Sequence, residues 1–222
     1  MDYIGKRTEN MENTIKKQNN RKIFALLLAV VLLAGGIWGA WSLRSQRELS
    51  DKVVRLHILA NSDSDEDQAL KLKVRDVILQ RAERILKESE NREAAEDALR
   101  AQLPALQSLA EEKIRAEGYD YSVTAELRDT EFPTREYDTF TLPAGKYLAL
   151  RIVIGSGEGH NWWCVVFPPL CAETTTDFAQ TAMAAGLSED DIKLVTEENS
   201  GYVLKFKSIE LWEQLKEKWT NG

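Results

Sequence analysis

The sequence is poor in the residues that most often carry chemistry: its 222 positions hold two cysteines and two histidines. Two cysteines are too few for a disulfide-dense scaffold, and no second His or Cys falls at ligand spacing beside either histidine, which argues against a zinc site. An excess of positive charge is also missing. The net charge is −7, and an acidic body repels phosphate backbones, so nucleic acid is not an expected partner. Internal repeats are absent. The apolar and charged fractions are those of an ordinary folded protein, and the length suits one domain with an appendage.

What is present begins with an uneven charge distribution. Residues 1–22 carry six Lys/Arg (Lys6, Arg7, Lys16, Lys17, Arg21, Lys22) against three acids, a local +3, so the remainder carries −10. The run that follows, "IFALLLAVVLLAGGIWGAW" from Ile23 to Trp41, contains no charge. At about 1.5 Å per residue, nineteen residues nearly span a hydrocarbon core of about 30 Å. Trp38 and Trp41 stand near its far end, where indoles favour the interface, and the basic leader keeps the N-terminus cytoplasmic. Length and leader favour an uncleaved anchor over a cleaved signal, although Ala34-Gly35-Gly36 offers a small-residue site. Either reading exports the rest of the chain. The expected organisation is a basic leader (1–22), a transmembrane or signal segment (23–41), a polar linker (42–52) and an exported domain (53–222).

The exported part reads as α+β. "VVRLHILA" alternates as a strand, with Arg55 and His57 on one face. "DQALKLKVRDVILQRAERILKE" and a segment from about Glu93 to Glu117 carry apolar residues at helical spacing; Pro104 should bend the second, and Gly118 should end it. "YSVTAELRD", "KYLALRIVI" (146–154) and "NWWCVVF" (161–167) read as strands, and the last two, joined by "GSGEG", should pair as an antiparallel hairpin. Residues 169–191 look irregular, "YVLKFKS" is a last β-like run, and "IELWEQLKEKW" a closing amphipathic helix. The expected architecture is a mostly antiparallel sheet of four or five strands with the two long helices on one face, preceded by the N-terminal transmembrane or signal helix.

Asp63, Asp65 and Asp67 imitate the start of a calcium loop, but Gln68 stands at the sixth position and Val74 at the twelfth, where Gly and Glu are needed. Ser64 with Asp67 matches a capping box, so the acidic cluster reads as a helix start. The alternating glycines of "GSGEG" lead into a strand and offer no helix N-terminus to a phosphate. No catalytic residue, cofactor or metal ligand is expected.

Arg55 and His57 read either as half-buried, hydrogen-bonded groups or as a partner-binding or pH-sensing patch. Cys164 and Cys171, in an oxidising compartment, form either a disulfide or two buried thiols; a bridge requires the chain to reverse, and Phe167-Pro168-Pro169 supplies a turn. Trp162 and Trp163 point to opposite sheet faces, so one indole enters the core while the other faces outward, or both are covered. A rival from another class is an exported Cys/His hydrolase with Cys164 as nucleophile and His57 or His160 as base.

"RLHILANSDSDEDQALKLKVRD", "FPTREY", "LPAGKY", "NWWCVVFPPLC" and "VLKFK" stand in the order that resembles stage II sporulation protein R of endospore-forming bacteria, over about residues 53–206. The resemblance implies a protein made in the forespore and exported into the space between forespore and mother-cell membranes. There it activates a membrane-embedded aspartic protease of the mother cell, which processes the sigma-E precursor. It implies action by binding. The candidate partner-binding residues are Arg55, His57, Asn161, Trp162, Trp163, Phe167, Pro168, Pro169 and Leu170.

Overall fold

A computed structural model of the chain describes residues 46–137, 139–170 and 178–196, with scattered positions between 24 and 44. It divides into two units, 1–45 and 46–222. The described positions of the first are helical and leave Phe24, Leu28, Val30 and Leu33 exposed. Among the described residues no helix is long and apolar enough to cross a membrane; most of the expected span 23–41 lies outside them, as do Cys171, "YVLKFKS" and "IELWEQLKEKW".

The second unit is mixed α+β, with a four-stranded, mostly antiparallel sheet. Its elements in chain order are β1 (Val54–Leu59), α1 (Asp65–Leu86), α2 (Arg92–Ala116), β2 (Val123–Phe132), β3 (Arg135–Glu136), β4 (Thr141–Leu142), β5 (Gly145–Ile154), β6 (Asn161–Phe167), α3 (Phe178–Ala184) and α4 (Glu189–Thr196). The sheet order is β2-β5-β1-β6, and among the described residues β3 pairs with β4 alone.

Local chemistry sets the long helices. Ser64 caps α1, its hydroxyl accepting from the Asp67 amide at 3.2 Å, and Asp65, Glu66 and Asp67 meet the positive end of the helix dipole. Asn91 caps α2 in the same way, accepting from the Ala94 amide at 2.9 Å. Helix α2 continues through Pro104 and ends where Gly118, at φ 87°, donates to Arg115 O while Tyr119 donates to Ile114 O. That pair of bonds is a Schellman closure, which needs a left-handed residue at Gly118. Leu70, Val74, Ile78 and Ala82 of α1 and Ala95, Leu99, Leu106, Ala110 and Ile114 of α2 are buried against Leu56, Ile58, Leu150 and Ile152 of the sheet. Both long helices therefore lie on one face, as expected.

The expected hairpin does not form. β5 and β6 are not neighbours; β1 lies between them, parallel to β5 and antiparallel to β6. The six residues 155–160 can reach about 20 Å, whereas two strand spacings need only about 10 Å. Loop length therefore permits a straddle as readily as a hairpin. The connection passes over the end of β1: Gly159 donates to Ala60 O at 3.0 Å and the Ser156 hydroxyl to Asn61 O at 2.7 Å. Space for this crossing is tight, since a Cβ on Gly159 would lie 2.2 Å from Ser62 O.

The face opposite the long helices is covered as well. Leu49, Val53, Phe132, Phe140, Leu142, Tyr147, Ala149, Val165, Ala182, Leu187, Ile192 and Val195 form a second core. Residues 46–50 are helical and Leu49 is fully buried, so the folded unit begins at Gln46, ahead of the boundary expected at 53. The segment expected to be irregular, 169–191, holds α3 and the start of α4. Ser188 caps α4: its hydroxyl accepts from the Asp191 amide at 3.2 Å, and Asp191 accepts from the Ser188 amide at 2.8 Å. This reciprocal box, together with Leu187, Ile192 and Val195 entering the second core, is the physical reason for order there.

Candidate partner-binding face

Because the register of β1 aligns His57 with Arg151 of β5 and Trp163 of β6, and Arg151 aligns with Glu126 of β2, these four side chains cross one face of the sheet in a row. Arg151 forms an ion pair with Glu126 and donates from Nε to His57 Nδ1 at 3.4 Å. With Nδ1 accepting, the proton of a neutral imidazole sits on Nε2, which donates to Asn161 Oδ1 at 2.8 Å. Burial is the main cause that lowers the His57 pKa; the Asn161 contact opposes it, and the charges of Arg151 and Arg55 reinforce it. His57 is therefore held in its neutral form at neutral pH.

Arg55 stands two residues before His57 on the same face of β1 and is 0% exposed. Its Nη2 donates to the Tyr137 hydroxyl at 2.8 Å, and its guanidinium carbon lies 3.9 Å from the centre of the Phe132 ring and 5.0 Å from that of Tyr147. Burial lowers the pKa of the guanidinium and raises that of the Tyr147 phenol. Among the described residues, Nε and Nη1 of Arg55 have no hydrogen-bond partner.

The tryptophans divide as strand geometry requires. Trp162 packs half-buried on the long-helix side, with the Arg75 guanidinium 5.0 Å from its ring centre; Trp163 packs half-buried on the second core, with Arg135 at 4.0 Å. Neither indole stands free. Of the other expected contact residues, Phe167 and Pro168 are buried, Leu170 is half-buried, and Asn161 and Pro169 are exposed. Arg55 and His57 are buried too, so what a partner can reach here in this conformation is Asn161, Pro169 and the exposed edges of Leu170 and of the two indoles, which lie on opposite sides of the edge strand β6. Beside Pro169 a groove of about 780 Å³ runs between the end of α1 and α3, lined by Arg84, Leu86, Lys87, Phe167, Pro169 and Ala184 among others.

Cys164 is disulfide-bonded and has no thiol to ionise. It registers with Leu56, one position from the His57–Trp163 pair, and so points to the opposite face from His57. The dyad of Cys164 with His57 is not assembled. His160 is spent elsewhere, its ring and amide both bonded to Asp63. The acidic cluster is likewise occupied: Asp67 accepts from Asn61 at 2.9 Å and Ser62 at 2.6 Å. Burial pushes the Asp67 pKa up, but hydrogen bonds from Ser62, Asn61 and Tyr121 outweigh it and hold the carboxyl below its ordinary range. Among the described residues no group of three or more His, Cys, Asp or Glu could hold a metal ion.

The family model for stage II sporulation protein R matches residues 50–177, more than half of the chain. The chain belongs to the stage II sporulation protein R family. A relative of that name from Bacillus subtilis (strain 168) is 42% identical over 123 residues, which is 55% of each chain, so the match spans about half of the relative's length. No solved structure matches. The family match takes in every block that carried the resemblance except "VLKFK" at 203–207, which lies beyond it.

Sequence reasoning did not single out several members of this face, among them Phe132, Tyr137, Tyr147 and Arg151. The first two bound the block "FPTREY" and Tyr147 closes "LPAGKY", so the blocks contained the signal without its meaning. Their roles follow from long-range pairing, which brings Tyr137 to Arg55 across 82 positions of sequence.

Proposed function

We propose that this member of the stage II sporulation protein R family is an exported activating signal that acts by binding. In this reading residues 23–41 carry the folded unit across the forespore membrane, into the space facing the mother cell. Its partner is a membrane-embedded aspartic protease of the mother cell, whose activation releases processing of the sigma-E precursor. A binding protein can activate an enzyme only by holding its active arrangement more tightly than its inactive one.

One observation carries the reading: all but the last of the blocks that resemble the family fall inside the family match, and they build the two faces around β1 and β6. The surface proposed for the contact is Asn161, Pro169 and the accessible edges of Trp162, Trp163 and Leu170. Arg55, His57, Phe167 and Pro168 lie beneath it as support.

The test is co-expression of the full chain with the protease and the sigma precursor in a non-sporulating host. Processing should require an intact export segment. Trp162→Ala or Trp163→Ala, in variants shown to fold, should reduce processing by about 30-fold, the effect of removing an interface anchor worth about 2 kcal/mol. Normal processing in both folded variants rejects the aromatic contact, and no processing with the unaltered chain rejects direct activation.

A further inference from the structure

Arg55 poses a physical problem that the proposed surface leaves unsolved. A guanidinium with no exposure ordinarily sits against a carboxylate, because a buried charge without a counter-charge is costly. Among the described residues no carboxylate pairs with Arg55, and its single hydrogen bond goes to a neutral phenol, that of Tyr137. Arg135, a charge of the same sign, also acts on it. Three of its five N–H groups, one on Nε and two on Nη1, have no acceptor among the described residues.

The cover over this group is a short hairpin. Tyr137 and Arg135 belong to the hairpin β3–β4, a ladder of two residue pairs separate from the main sheet. The hairpin is closed by the Tyr137 amide to Phe140 O at 2.8 Å and by stacking of those two rings at 4.5 Å. Tyr137 on Arg55 and Arg135 over Trp163 hold it to the sheet face, and Phe140 and Leu142 seat its other strand in the second core. Lifting the hairpin would uncover one free guanidinium walled by Phe132 and Tyr147, beside the indole of Trp163.

We propose that Arg55 is the binding site for a carboxylate supplied by the partner, closed in the free protein by the β3–β4 hairpin. The carboxylate takes the place of the Tyr137 hydroxyl and supplies the missing counter-charge. A planar monoanion fits better than a phosphate dianion, since a single guanidinium between aromatic walls faces it; Arg151 is already engaged by Glu126. The carboxylate belongs either to an acidic side chain or to a chain terminus. This inference rests on the reading that the protein acts by binding, and not on which protein it binds.

The test titrates the full chain, at constant ionic strength, with three short leucine-flanked peptides followed by tryptophan fluorescence. One carries a central glutamate with both ends blocked, one a central glutamine with both ends blocked, and one the glutamine with a free C-terminal carboxylate. At least one carboxylate peptide should bind ten-fold or more tighter than the uncharged peptide, and which one does identifies the source. In Arg55→Met that preference should vanish, while in Tyr137→Phe, which removes the hydroxyl that a carboxylate must displace and keeps the guanidinium, it should grow several-fold. Equal binding of all three peptides overturns the proposal, as does a preference that survives Arg55→Met. Should Arg55→Met fail to fold, Tyr137→Phe decides alone: unchanged or weaker carboxylate binding overturns it. The peptides play no part in the co-expression assay, so failure here leaves the processing result standing, and the reverse.

Discussion

His57 shows at the scale of one residue how burial sets behaviour. It is met by Arg151 from β5, Asn161 and Trp163 from β6, Phe132 from β2 and Arg55 from its own strand, with Glu126 reaching it only through Arg151. A second ring proton would turn Nδ1 from acceptor to donor against the Arg151 Nε–H, next to two cations. The folded pKa is therefore depressed below the ordinary value of 6.5. The unfolded chain takes up the proton first as pH falls. The stability held by neutral His57 is complete above about pH 6.5 and is lost as pH drops below it toward the folded value. Urea midpoints between pH 7.5 and 5.5 should fall more steeply for the wild type than for His57→Gln; parallel slopes would show that His57 does not titrate differently on folding. Ser64 makes the complementary case of a residue whose role is entirely local. Ser64→Ala should cost about 1 kcal/mol in chemical denaturation.

At the scale of elements, two glycines separate two kinds of constraint. Gly118 closes α2 at φ 87° with nothing within 4 Å of where a Cβ would stand, so Gly118→Ala meets only the conformational penalty, about 1 kcal/mol. Gly159 has an ordinary backbone conformation, but an added methyl would strike the Ser62 carbonyl at 2.2 Å. Gly159→Ala should therefore cost about 1–3 kcal/mol by forcing the β5–β6 connection away from the end of β1. Equilibrium unfolding of both variants checks the ranking. The first constraint was readable, because a glycine after an apolar helical stripe is a stop signal. The second was not, because nothing in "GSGEG" says that another strand runs beneath it.

For the whole molecule, the decisive feature is that the sheet is covered on both faces. The long-helix face was legible from the stripes of α1 and α2. The second core was not, because it gathers Leu49, Phe132, Phe140, Ala182, Leu187 and Ile192 from short segments scattered over most of the described chain. A polar-looking stretch such as "SLRSQRELSDK" gives no periodic apolar signal when the residues it draws inward include a glutamine, Gln46, beside Leu49. Ser188 with Asp191 did offer one, the same capping pattern as Ser64 with Asp67, within a segment otherwise read as irregular. If residues 46–53 belong to the folded unit, Leu49→Ala should destabilise it by about 2–5 kcal/mol, as expected for a fully buried leucine. A change under about 0.5 kcal/mol in a thermal or urea melt, the usual scale of a surface substitution, would return this segment to the status of a linker.

The sequence by itself determined the mixed helix and strand content, the ends of the two long helices and the family, because caps, periodicity and uncommon residue blocks act over short stretches of chain. Only the tertiary structure decided that β1 separates β5 from β6, that Arg55 and His57 lie inside, and that Cys164 and His57 face apart. Each of these depends on which strands pair and in what register, and a strand's free backbone groups are satisfied equally well by any neighbour of the right length until packing on both faces selects one.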